Sequence, residues 1–128
     1  MTGVQTCALP ICGIYNIGSL TLINSSVSHN TARDGGGGIY ATNGSSTVIM
    51  DSQIYANTSM NWEGGGIQVH QDSHLDMSGS WVVGNAALSN DAGGIGANNA
   101  ESVYIENSII AGNTAGFTGG GLWHGSGG

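Results

Sequence analysis

Three acidic residues just ahead of glycine runs are the side chains whose type and spacing could do chemistry. Glu63 and Asp91 each lie four residues before the aliphatic residue that follows the glycines, and Asp34 lies five residues before its own. If these segments stack on one another, neighbouring carboxylates would lie roughly 5 Å apart, the separation of the two acids in a retaining glycosidase. Such acids could also share a hard cation such as Ca²⁺. Loop acids usually stay solvated, so our preferred interpretation assigns them no catalysis, metal or cofactor.

Aromatic, apolar and amide side chains near the same glycine runs are candidates for binding a ligand. Trp62, Leu88 and Phe117 lie in the variable loops that precede the glycines, whereas Tyr40 and Gln68 alternate with aliphatic residues just after them. Exposed side chains of these types could bind a sugar or a protein. The simpler expectation for the three loop residues is that they fold back and cover the corner of the structure.

A repeat must position these residues. Four asparagines recur at spacings of 27, 28 and 28 residues, and aliphatic residues keep the same offsets from them in each copy. A fixed period in this range indicates a solenoid, a propeller or an array. The asparagines are Asn30, Asn57, Asn85 and Asn113, and the clearest aliphatic columns are Leu22, Ile49, Met77, Ile105 and Val27, Ile54, Val82, Ile110.

Each repeat contains short strands and no helical pattern. Apolar and polar residues alternate just after the glycines, as in 67–69, and again further on, as in 75–77. Alternation of this kind predicts strands with one buried face, and Asn, Asp, Gly and Ser mark the turns between them. We therefore predict an all-β fold, a single right-handed parallel β-helix of about four coils of 27–28 residues with three short strands per coil. The repeated asparagines would form a ladder in which each amide donates to the next.

The leucine-rich repeat is the nearest rival, because the spacing of Leu20, Leu22 and Val27 fits part of its pattern. That repeat needs an asparagine where this chain has Ser in all four copies, and a returning helix where this chain has glycines. An α-helical convex face opposite the glycines would favour this rival.

The first eleven residues stand apart from the repeat. Met1–Ile11 match none of its columns, and the stretch resembles a translated short-read sequencing adapter. The alternatives are a genuine N-terminal cap and a truncated signal peptide, although a signal peptide would need a basic start and a longer apolar core. We expect residues 1–11 to be non-native and residues 12–128 to be a β-helix fragment truncated at both ends.

Composition argues against several kinds of partner. The formal net charge is −7, and the chain contains one arginine, Arg33, and no lysine. Binding phosphates needs basic side chains, so we expect no nucleic-acid partner. No apolar run approaches the roughly 20 residues of a membrane-spanning helix.

The residues of the repeat resemble those of a known family. The run Gly36-Gly37-Gly38-Ile39, followed by Ile54 and Asn57, resembles the polymorphic outer-membrane protein repeat, whose pattern is Gly-Gly-Ala-aliphatic and then Phe-x-x-Asn. Here glycine replaces the alanine and an aliphatic residue replaces the phenylalanine. The resemblance implies a β-helix repeat of a secreted or surface-displayed protein, commonly an adhesin or an autotransporter passenger.

We therefore expect a fragment of a secreted or cell-surface protein, associated with an outer membrane, that acts as an adhesin, a binding scaffold or a stalk. Its partners would be a glycan, a surface protein of a host or neighbouring cell, and the remaining coils of its own chain. The alternatives are a polysaccharide lyase or glycoside hydrolase on the same fold, and a purely structural repeat segment. A lyase of acidic polysaccharide would need more basic residues than Arg33, because the negative chain repels a polyanion.

Overall fold

The computed structural model describes residues 2–6 and 13–125, with side chains described for 13–125. All regular structure in these residues is β-strand, and none of it is helix. The strands, in chain order, are β1 Thr2–Thr6, β2 Ile14–Ile23, β3 Ser26–Ser28, β4 Thr31–Ala32, β5 Ile39–Ala41, β6 Ser46–Met50, β7 Gln53–Tyr55, β8 Thr58–Ser59, β9 Ile67–His70, β10 His74–Ser78, β11 Trp81–Val83, β12 Ala86–Ala87, β13 Ile95–Asn98, β14 Ser102–Glu106, β15 Ile109–Ala111, β16 Thr114–Ala115 and β17 Leu122–Gly125.

The chain winds as a right-handed parallel β-helix of about four coils, as predicted. Each strand from β2 onward pairs in parallel with its counterpart one coil away. The lack of a helix in the described residues excludes the leucine-rich repeat. Three parallel sheets result, and their strand orders are β14-β10-β6-β2-β5-β9-β13-β17, then β15-β11-β7-β3, then β16-β12-β8-β4.

Aliphatic columns fill the interior because side chains alternate along every strand and one face of each sheet points inward. Ile54, for example, pairs with Val27 on one side and Val82 on the other, and it is fully buried. The sequence places such residues at one offset per coil, so stacking the coils stacks the columns. The core cluster consists of Leu20, Val27, Ile39, Ile49, Ile54, Ile67, Val69, Leu75, Met77, Val82 and Ile95.

The first coil differs from the others because one continuous strand takes the place of two. Residues 14–16 of β2 pair with β5, and residues 19–23 pair with β6. The strand β1 pairs antiparallel with β2, with Thr6 opposite Ile14. The edge of β2 that faces away from the coils is therefore hydrogen-bonded to β1.

Each coil also has a two-residue strand that the sequence analysis did not predict. It follows the repeated asparagine and forms the third sheet, in which Ala86 pairs with Thr58 and Thr114. Two residues are too short to show an alternating pattern. The loops that lead from this strand to the glycines carry several of the candidate residues.

The glycines hold neighbouring coils at close range. A Cβ at Gly65 would lie 2.3 Å from the carbonyl oxygen of Gly93 and 2.4 Å from that of Ala86. Only glycine fits such a close backbone contact. Within the described part of the chain, no helix is long and apolar enough to cross a membrane.

Candidate functional site

The repeated asparagines line one corner of the coils and hydrogen-bond to one another. Asn57 Nδ2 donates to Asn85 Oδ1 at 3.0 Å and to the carbonyl oxygen of Val27 at 2.9 Å. Asn57 Oδ1 in turn accepts from the backbone and the side chain of Asn30. Asn85 and Asn113 repeat the contact at 3.0 Å. This ladder fixes the corner from which each variable loop departs.

The three acids have three different environments, and Asp34 lies one residue earlier in its coil than Glu63 and Asp91 lie in theirs. Asp34 is exposed, Glu63 is buried, and Asp91 is partly buried. Asp91 Oδ1 accepts hydrogen bonds from the backbone and the hydroxyl of Thr118 in the next coil. No hydrogen bond links any two of these carboxylates among the described residues. The partners of these carboxylates therefore differ from one coil to the next.

Glu63 forms a buried cluster with two amides. Gln68 Nε2 donates to Glu63 Oε2 at 2.9 Å, and Asn98 Nδ2 donates to Glu63 Oε1 at 3.5 Å. Glu63 is 8% exposed and Gln68 is fully buried. Both carboxylate oxygens are thus hydrogen-bonded inside the protein, which leaves Glu63 without free access to a substrate.

The Gln68 amide fits in its place because Gly35 has no side chain. A Cβ at Gly35 would lie 1.4 Å from Gln68 Oε1, so the amide occupies the space that any larger residue would fill. That oxygen is buried without a hydrogen-bond partner among the described residues. An unpaired buried acceptor costs free energy, and the hydrogen bond from the same amide to the Glu63 carboxylate offsets that cost.

Tyr40 borders this cluster and joins a row of aromatic rings along the axis. It stacks on Tyr15, with ring centroids 5.6 Å apart, and its hydroxyl lies 3.3 Å from His70 Nδ1. Tyr40 also pairs in the strand register with Gln68. The structure therefore brings together three residues that the sequence analysis singled out, namely Tyr40, Gln68 and Glu63.

Burial raises the pKa of the Tyr40 hydroxyl above its usual value, because the phenolate would lose solvation. The nearby Tyr15, Glu63 and Asp34 add to this rise, and the hydrogen bond with Thr42 opposes it. Tyr40 therefore stays protonated as a neutral hydrogen-bonding group near neutral pH.

Four apolar side chains on the variable loops are exposed, and we call them the loop edge: Met60, Trp62, Leu88 and Phe117. Their exposed fractions are 44%, 45%, 58% and 74%. The expectation that the loop residues fold back over the corner is therefore wrong. The backbone of the loops is pinned instead, because Met60 N donates to Ala32 O and Leu88 N donates to Ser59 O, each at 2.9 Å. The side chains are left facing solvent.

Sequence reasoning missed two members of these groups. Asn98 hydrogen-bonds to Glu63 from 35 residues away, a contact that follows only from the register between coils. Met60 was not singled out, although it lies directly after β8 in the same place as Leu88 after β12. Comparing equivalent positions in the loops could have found Met60. Nothing in the sequence pointed to Asn98.

The candidate side chains differ in how far the protein itself occupies them. Within residues 2–6 and 13–125, no three His, Cys, Asp or Glu side chains come close enough together to hold a metal ion. The one buried carboxylate is occupied by amides. The loop edge, by contrast, presents large apolar side chains on a rigid backbone.

Comparison with known proteins agrees with the architecture. A family model described as a right handed beta helix region matches residues 9–128. Comparisons with curated proteins and with solved structures found no significant match.

Proposed function

Because the chain belongs to the family of right-handed β-helix regions, we propose that it is a binding scaffold of the adhesin type, secreted or displayed at the cell surface. In this proposal the coils form a rigid support and the loop edge contacts a surface protein of another cell. Chemistry is not part of its role.

The exposure of the loop edge is the observation that carries this proposal. Leu88 is 58% exposed and Phe117 is 74% exposed on loops of neighbouring coils. Large exposed apolar side chains on neighbouring loops suit an interaction site, and aromatic residues and Met are enriched in the cores of protein interfaces. Apolar Met and Leu side chains suit a protein partner better than a glycan, which needs polar groups for its hydroxyls.

The environment of Glu63 favours binding over catalysis. Hydrolysis of a glycan needs two carboxyl groups in different protonation states that flank the scissile bond. Glu63 is buried against Gln68 and Asn98, whereas Asp34 is exposed and Asp91 is hydrogen-bonded to Thr118. A binding scaffold makes no demand on these acids.

Photo-crosslinking from the loop edge tests the proposal. p-Benzoylphenylalanine is placed at position 88 or, as a matched control, at position 104. Leu88 and Tyr104 are each 58% exposed, but Tyr104 lies on β14, away from the loops. We expect irradiation on intact epithelial or neighbouring bacterial cells to give a protein adduct from position 88 that is absent from position 104. Equal adducts from both positions would mean non-specific contact, and no adduct would favour a purely structural segment.

A further inference from the structure

A small open cleft lies on the sheet formed by β3, β7, β11 and β15. Its volume is about 200 Å³, and its lining residues are Asp51, Ser52, Gln53, Gly79 and Trp81. Trp81 is 49% exposed and pairs in the strand register with Gln53 of the preceding coil. The cleft is separate from the loop edge, because the asparagine ladder and the third sheet lie between them along each coil.

Gly79 opens this cleft. The same turn position in the other coils is held by Asn24, Asp51 and Asn107, which all adopt the left-handed backbone with φ of 49°, 50° and 48°. Gly79 has φ of 56°, so the backbone does not by itself require glycine there. A Cβ at Gly79 would lie 2.5 Å from Asp51 Oδ1. The missing side chain therefore makes room for the Asp51 carboxylate beside Trp81.

Two polar side chains of the cleft are unused within the protein, whereas the Ser52 hydroxyl donates to Met50 O and accepts from Ser25 N. Neither the Asp51 carboxylate nor the Gln53 amide has a side-chain hydrogen bond to any described residue, and both side chains are exposed. The side chains of Asp51, Gln53 and Trp81 thus line one opening. Both oxygen-bearing groups can accept hydrogen bonds.

We propose that this cleft binds an arginine side chain of a basic peptide or protein segment. A guanidinium stacks on the face of Trp and donates in a planar fork to a carboxylate. In this cleft it would lie on Trp81 and donate to Asp51 Oδ1 and to the Gln53 amide oxygen. The chain has a net charge of −7, with one arginine and no lysine. This charge attracts a cationic partner over a longer range.

A neutral sugar could contact the same side chains, but the charge of the cleft favours a cation. A guanidinium carries only donors, which match the acceptors of Asp51 and Gln53. Its positive charge also gains from the indole face and from the carboxylate together. This proposal does not depend on the proposed function, since it concerns other residues on another face.

Titration with a short peptide tests the site. The probe is acetyl-Gly-Arg-Gly-amide, and the matched control is the same peptide with citrulline, which keeps the shape of arginine without its charge. The readout is the NMR signal of the Trp81 indole N–H, assigned with Trp81→Phe, together with the Gln53 side-chain amide. We expect saturable shifts with the arginine peptide and binding about tenfold weaker with citrulline, because both charged contacts are lost.

Three variants locate the binding. Asp51→Asn should weaken binding of the arginine peptide about threefold by removing an exposed ion pair. Gly79→Asn fills the cleft with the residue found at the equivalent turns and should abolish the shifts without changing the fold, as judged by circular dichroism. Asp76→Asn, the same change of charge on another face, should leave binding unchanged.

Several results would overturn the proposal. Equal binding of the arginine and citrulline peptides would show that charge is not recognised. Shifts that persist in Gly79→Asn, or that weaken equally in Asp51→Asn and Asp76→Asn, would place the contact elsewhere. Stronger shifts at Trp81 with cellohexaose than with the arginine peptide would make this a sugar site.

Discussion

Gln68 donates a 2.9 Å hydrogen bond to Glu63, and both side chains are almost entirely removed from solvent. This contact joins the second residue after the glycine run 64–66 to the residue just before that run. The contact depends on Gly35 of the preceding coil, because the side-chain oxygen Oε1 of Gln68 occupies the place that a Cβ would take at Gly35. The Glu63 carboxylate is thereby held by the Gln68 amide and shielded from solvent.

A first prediction follows from this contact. Gly35→Ala should lower the free energy of unfolding by about 1–3 kcal/mol, because the new methyl group forces the Gln68 amide away from Glu63. In a Gln68→Ala background the same substitution should cost much less, because the colliding amide is gone. Denaturant unfolding of the four chains gives the coupling energy. Equal costs of Gly35→Ala in both backgrounds would mean that the clash with Gln68 is not what requires glycine.

A second prediction concerns the asparagine ladder. Asn57→Ala or Asn85→Ala should lower the free energy of unfolding by about 1–3 kcal/mol, because buried partners in the adjoining coils lose their hydrogen bonds. Asn61→Ala is the control, since its side chain is exposed. Urea denaturation checks the order of stabilities. If the ladder variants matched the control, the amides would contribute nothing to stability.

A third prediction concerns the ionisation of Tyr40. Its pKa is raised in the folded chain above the usual 10.0, so the folded state holds the proton more tightly than the unfolded state. This contribution to stability is fully present below pH 10 and is lost as the pH rises through the raised pKa. In an absorbance titration of tyrosinate, Tyr40→Phe should remove the component at highest pH, and Tyr104→Phe should retain it. Loss of that component in Tyr104→Phe alone would contradict the assignment.

A fourth prediction concerns the N-terminal segment. Deleting residues 1–11 removes β1 and frees the outer edge of β2, but every residue of the described core cluster lies outside this segment. We expect the second to fourth coils to keep their strand signal in circular dichroism and their cooperative unfolding. Loss of strand signal from the shortened chain, while the full chain keeps it, would identify the segment as a genuine cap.

The repeat could be predicted from the sequence because a residue of the same type recurs at each interior position once per coil. Columns of four residues that keep one offset admit few arrangements, and stacking strands in register is the simplest. Ile54 between Val27 and Val82 is the outcome. The two-residue strand β8 escaped prediction because its pairing depends on the coils around it and not on its own pattern.

The environment of each acid could not be predicted, because it depends on which residue of the next coil packs against the acid. Glu63 packs over Gly96, and a Cβ added at Gly96 would lie 2.9 Å from the Cβ of Glu63. In the strand register the neighbours of Gly96 are Gln68 and Trp123, which carry side chains. Glu63 is therefore buried, whereas Asp34 is exposed and lies one residue earlier in its coil, where Gly35 holds the place equivalent to Glu63. The loop edge was mispredicted for a related reason, since backbone hydrogen bonds fix the loops and leave the side chains outside.

The most direct test of the account is the binding of fluorescently labelled chain to intact epithelial or neighbouring bacterial cells. The test variant is Trp62→Ser/Leu88→Ser/Phe117→Ser, and the control is Ile23→Ser/Tyr104→Ser, which removes two similarly exposed apolar residues from another face. We predict saturable binding of the unaltered chain and of the control, loss of at least about tenfold in affinity for the test variant, and loss of binding when the cells are treated with protease. Undiminished binding of the test variant, with both variants folded, would contradict the account.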